Sequence, residues 1–206
     1  MLASNQMNIG LFFFLLSILI YPINVKSQQN HNDMNNTPSL LISPSTQTLS
    51  FYKGDSLVKT YVISTAKNGL GCEAGSGKTP TGRHRVKEKF GEGKPLGAIF
   101  KARGFTGEIA EIYTDDTDIQ EDPVTTRILW LEGLEEGKNK GPGVDSYYRY
   151  IYIHGTPEEG LLGQPASKGC IRMSNKDVIE LFEMIPVGTP VNILNEPWQG
   201  KQKTTE

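Results

Sequence analysis

The stretch "IHGTPEEGLLGQPASKGCIRMSNKDVIELFEM", residues 153–184, decides how the chain is read. It begins at the end of an apolar run, Tyr150-Ile-Tyr-Ile153, which has the character of a strand closing on His154. A loop rich in Gly and Pro follows, and a Ser-Lys-Gly turn delivers Cys170 just before the apolar Ile171. Ser174 is then placed to cap a helix over 175–184, with Val178, Leu181, Phe182 and Ile185 on one face and Pro186 to end it. Two strand ends therefore offer one histidine and one cysteine, sixteen residues apart, to a common site.

Upstream, residues 40–43, 46–52 and 56–64 read as short strands, with Lys53-Gly54-Asp55 as the turn of a hairpin. Further strands are expected at 82–86, 98–101, 108–113, 125–131, 147–154 and 190–194, between loops rich in Gly, Pro and Asp. The fold class expected is mainly β, with one main helix. A chain of 206 residues suits one principal domain, placed at 40–195. Residues 11–20 form an apolar run too short to span a bilayer, and Val25 and Ser27 supply the small residues of a cleavage site. The expectation is a signal peptide at 1–27, a polar Asn-rich spacer at 28–39, a polar tail at 196–206, and export to the periplasm or cell envelope.

A net charge of -2 gives no broad basic face for nucleic acid, and that class is set aside. Two cysteines, Cys72 and Cys170, allow at most one bridge, and it would consume the candidate nucleophile. "GSGKT" at 75–79 lacks the glycine of a phosphate loop, because Cys72 stands at that place, so it reads as a turn-rich loop. "DDTDIQED" at 115–122 lacks the glycine and the terminal glutamate of a calcium loop, and reads as a solvated acidic loop. With no HExxH or paired CxxC, no metal and no cofactor is expected.

A thiol becomes a nucleophile when a base lies within hydrogen-bond reach and a third group fixes the base's tautomer. His154 and Cys170 fit this need. Gly169 permits close backbone approach, amides around Gly169 and Cys170 are placed for an oxyanion, and Arg172 offers a forked donor for a carboxylate.

From His154 onward, "IHGT" followed by "SKGCIRM" resembles the L,D-transpeptidase catalytic domain of the YkuD type. Upstream, "VISTAKNGLGCEAGSGKTPTGRHRV" is similar to that family's Thr-Pro-x-Gly segment, so the resemblance covers roughly 40–194. It implies a β-rich, sandwich-like domain in which Cys170 is the nucleophile, His154 its general base and the Gly155 carbonyl the orienter of the imidazole. Ser167, Gly169 and Arg172 match positions that shape the site and contact the peptide. The implied substrate is a peptidoglycan stem tetrapeptide, which loses its terminal D-Ala. The acceptor is then a second stem or a lipoprotein amine, and the enzyme is a monomer. Lys168 stands where the family usually has a second histidine. An ammonium there would favour the thiolate and lower its pKa. The other readings of the same residues are an L,D-carboxypeptidase, or a weakly catalytic peptidoglycan-binding module.

Overall fold

The computed structural model describes residues 36–197, so the expected signal peptide, most of the expected spacer and residues 198–206 of the expected tail lie outside the described residues. Ten strands and one α-helix follow in order: β1 (Pro38–Ser43), β2 (Thr48–Lys53), β3 (Ser56–Ser64), β4 (Gly82–Phe90), β5 (Ala98–Lys101), β6 (Gly104–Ile109), β7 (Val124–Gly133), β8 (Tyr152–Gly155), β9 (Ile171–Met173), α1 (Asn175–Met184) and β10 (Pro190–Ile193). The strand order is β4-β10-β1-β2-β3-β9-β8-β7-β5-β6. A second pairing, β4 with β7, joins the first strand of that order to the eighth and closes the sheet on itself, which removes most open edges. The mainly β, sandwich-like expectation thus stands.

Alternation along the strands produces two apolar clusters. Leu40, Phe51, Ile63, Leu129, Ile153, Ile171 and Met173 fill the interior, where α1 inserts Val178, Leu181 and Phe182. Ala98, Phe100, Ile128, Trp130 and Tyr152 form the second cluster, against which Cys170 packs. The helix forms where its cap and spacing place it: the Ser174 hydroxyl accepts the Asp177 N–H at 3.1 Å.

Three expectations shift, and one strand was not expected. β1 begins at Pro38, so the last residues assigned to the spacer belong to the sheet. The strand expected at 108–113 is instead Gly104–Ile109, because the β5–β6 turn uses Ala102 and Arg103 at φ 47° and 70°, left-handed positions that neither residue advertises. Residues 147–150 turn rather than extend: Asp145 Oδ1 accepts the N–H groups of Tyr147 and Tyr148 at 2.9 and 3.2 Å, and Tyr150 sits at φ 58°. β9 has only three residues, too few to show a period.

Candidate active site

β8 and β9 run parallel with Ile153 opposite Ile171 and His154 opposite Arg172. Because successive side chains alternate, Ile153 and Ile171 enter the core while Tyr152, His154, Cys170 and Arg172 share the other face. This placement joins residues far apart in sequence on one surface.

His154 is buried, and its Nδ1 lies 2.7 Å from the Gly155 carbonyl oxygen. A carbonyl only accepts, so in the neutral ring Nδ1 carries the proton and Nε2 keeps the lone pair. Burial lowers the His154 pKa, against the Asp122 carboxylate and the Gly155 carbonyl, which raise it. Gly155 has no room for a side chain: a Cβ there would lie 2.6 Å from Asn175 Oδ1 and 2.9 Å from the Thr125 carbonyl oxygen.

Cys170 Sγ accepts the Tyr152 N–H at 3.4 Å and donates to the Tyr150 carbonyl at 3.4 Å. No hydrogen bond joins it to His154, so the thiol must turn from Tyr150 before the imidazole can take its proton. Burial pushes the thiol up to about 12, opposed by the Tyr152 N–H and by the charges of Arg172 and Arg149. The pair therefore rests as thiol and neutral imidazole.

The turn before Cys170 is fixed by its own side chains. Ser167 Oγ donates to the Cys170 carbonyl at 2.6 Å and accepts the Gly169 N–H at 3.2 Å. Thr79 Oγ1 donates to the Gly169 carbonyl at 3.0 Å, orienting that peptide. Gly169 adopts φ 134°, where an L side chain is strained. Ser167 thus braces the turn that delivers Cys170.

Arg172 is buried between two carboxylates. Its Nη1 donates to Glu158, and its Nη2 lies 2.6 Å from Asp122 Oδ1. Lys168 is exposed, and its ammonium donates to the Gln120 carbonyl instead of meeting the thiol. This corrects the expectation that Lys168 lowers the thiol pKa: burial dominates, the shift is upward, and the cations acting on Cys170 are Arg172 and Arg149.

The acidic segment is also not solvated throughout. Asp118 pairs with Lys67 at 2.8 Å, the Ile119 N–H donates to Glu158 at 2.6 Å, Gln120 receives Lys168, and Asp122 meets Arg172. Residues 118–122 form a strap on the motif residues. Asp118, Ile119 and Gln120 of the strap line a cleft of about 730 Å³, together with Lys67, Asn68, Ser167, Lys168 and Arg172.

Several contributors had no sequence signal. Asn175, fully buried at the start of α1, accepts the Thr125 hydroxyl at 2.7 Å and donates to the Thr156 carbonyl at 2.7 Å, tying the helix to the segments around His154. Arg149 donates to the Cys72 carbonyl at 2.9 Å and to the Lys78 carbonyl at 2.7 Å, holding the "GSGKT" loop as a turn. Both cysteines are free thiols, with Cys72 half-buried just ahead of that loop.

Comparison with known proteins places residues 37–193 on the family model described as the L,D-transpeptidase catalytic domain, YkuD. The protein named L,D-transpeptidase YkuD of Bacillus subtilis (strain 168) is 58% identical over 65 residues, 29% of this chain and 40% of that protein. The protein named L,D-transpeptidase YbiS of Escherichia coli (strain K12) is 45% identical over 49 residues, 24% of this chain and 16% of that one. The matched stretches thus span less than half of these relatives. Among solved structures, L,D-transpeptidase 3 from Mycobacterium tuberculosis, in complex with a faropenem-derived adduct, aligns at TM-score 0.48 and 18% identity, covering 77% of this chain and 60% of that one.

Proposed function

Because the chain belongs to the L,D-transpeptidase catalytic-domain family, we propose that it is a cysteine acyltransferase acting on peptidoglycan stem tetrapeptides at the cell envelope, to which its N-terminal signal would export it. The observation that carries this reading is the shared face of Cys170 and His154, with the imidazole held by the Gly155 carbonyl so that Nε2 is free to accept a proton.

In the first half-reaction His154 Nε2 takes the Cys170 proton as sulfur attacks the carbonyl carbon of the diamino acid's L-centre. The Cys170 N–H, following the glycine at φ 134°, is the candidate donor to the oxyanion. As the tetrahedral adduct collapses, the peptide C–N bond breaks, the imidazolium returns its proton to the departing D-Ala amine, and a thioester remains. In the second half-reaction an acceptor amine attacks the thioester, losing its proton to His154, and Cys170 leaves as the thiol. A second stem gives a cross-link, a lipoprotein amine gives protein attachment, and water gives the carboxypeptidase outcome.

A resting neutral pair suits this order of events. The nucleophile is generated as the bond forms, so a half-buried thiolate need not be maintained. The test is incubation with purified disaccharide-tetrapeptide and mass analysis of products. D-Ala loss together with dimers is the expected result; D-Ala loss without dimers moves the reading to hydrolysis; intact substrate bound by folded protein moves it to the binding module.

A further inference from the structure

Arg172 is the most constrained polar group beside the candidate nucleophile, and its hydrogen bonding is incomplete. Glu158 takes Nη1 and is itself fully enclosed, which fixes the guanidinium from one side. The other edge, Nε and Nη2, is the fork that ordinarily grips a carboxylate with two parallel hydrogen bonds. Asp122 occupies that edge poorly. Its Oδ1 lies 2.6 Å from Nη2, yet Oδ1 and the buried Arg172 Nε each have no hydrogen bond. Its Oδ2 accepts the Lys168 N–H at a long 3.3 Å, and its backbone is left-handed at φ 50°. An unmatched fork and a weak second contact mark a carboxylate that is present but not fitted.

We propose that the Nε–Nη2 edge of Arg172 and the Lys168 N–H form a seat for a peptide carboxylate of the incoming substrate, and that Asp122 fills this seat until the ligand displaces it. The site rests on the peptide-transfer reading of Cys170 and His154 and adds to it the group being recognised. A ligand carboxylate entering the cleft can take Nε and Nη2 together, which the tethered Asp122 does not. The exchange conserves charge, since one carboxylate replaces another against Arg172, so the guanidinium is never left buried without a partner. The remaining links of the strap, Asp118 to Lys67 and Ile119 to Glu158, lie outside the seat and can persist while Asp122 leaves.

The experiment is an NMR titration of the ¹⁵N-labelled protein with N-acetyl-D-alanine, following the Lys168 amide signal, with N-acetyl-D-alaninamide as the uncharged probe. Asp122→Asn is expected to bind the carboxylate about tenfold more tightly than wild type, because the internal competitor loses its charge. The carboxamide is expected not to bind. Asp116→Asn, which removes an exposed charge of the same segment away from the cleft lining and leaves the Asp122 carboxylate in place, is expected to stay within about twofold of wild type. Asp122→Ser provides a second removal of the charge if the Asn variant loses its native amide dispersion. Equal affinity in wild type and the Asp122 variants, equal binding of the carboxamide, or an equal gain in Asp116→Asn overturns the seat. Because binding is read without turnover, a protein that binds the carboxylate but transfers nothing locates the failure in the transfer chemistry.

Discussion

At the scale of single residues, the state of Cys170 is set by where its sulfur lies. Half-buried against the cluster that holds Trp130 and Tyr152 and bonded to two backbone groups, the thiol is harder to ionise than in water. Its alkylation by iodoacetamide should therefore keep accelerating with pH beyond 9, without a plateau near neutrality. Lys168→Ala should leave that profile unshifted, since the ammonium is spent on the Gln120 carbonyl. A plateau near pH 7, or a profile that moves with Lys168, contradicts this picture. Gly155→Ala tests the anchor of the imidazole. The added methyl meets the Thr125 carbonyl, so about 2 kcal/mol should be lost in a urea titration, with a fall in turnover as the His154 Nδ1 contact shifts. Both motif residues were legible in the sequence because their chemistry is intrinsic. The sign of the thiol shift was not, because burial is a property of the packed chain.

At the scale of elements, legibility followed the range of the interactions. α1 was readable because its cap and its apolar face are encoded within a dozen residues. The strap was not, because each contact of Asp118, Ile119, Gln120 and Asp122 crosses dozens of residues, and a run of carboxylates reads as solvated wherever its partners are unknown. β9 escaped notice although it sits between β3 and β8 and aligns Arg172 with His154. Asn175 is where helix and sheet meet. Asn175→Ala should strand the Thr125 hydroxyl and the Thr156 carbonyl and cost about 2 kcal/mol, with hydrogen exchange rising first in α1. Unchanged exchange in α1 would show that the apolar face alone holds the helix.

At the scale of the whole molecule, closure through β4 and β7 places the site on a continuous sheet, and two buried histidines make that sheet sensitive to acid. His84 Nδ1 lies 2.9 Å from the Gly82 carbonyl oxygen and its Nε2 lies 2.9 Å from Ser146 Oγ, and burial pushes its pKa down to about 4. His154 is lowered for the same reason. A histidine depressed in the fold binds its proton more readily when unfolded, so its contribution is complete above the ordinary value and is lost as pH falls through the folded one. For His84 that contribution is roughly 3 kcal/mol, released between about pH 6.5 and 4. The urea midpoint should thus be lower at pH 5 than at pH 7.5, and His84→Gln should flatten the difference. A midpoint constant over that range contradicts the burial argument. The fold class could be read from turn residues and alternation, but the β4–β7 closure could not, since pairing across such separations leaves no local pattern.

The most direct measurement is intact-mass and peptide-level analysis of the protein rapidly quenched during reaction with disaccharide-tetrapeptide, beside Cys170→Ala. The expected result is a covalent adduct on the peptide containing Cys170, equal in mass to the substrate less D-Ala, and absent from the variant. Release of D-Ala at an undiminished rate by Cys170→Ala, with no adduct on the wild type, would contradict the assignment of Cys170 as the nucleophile.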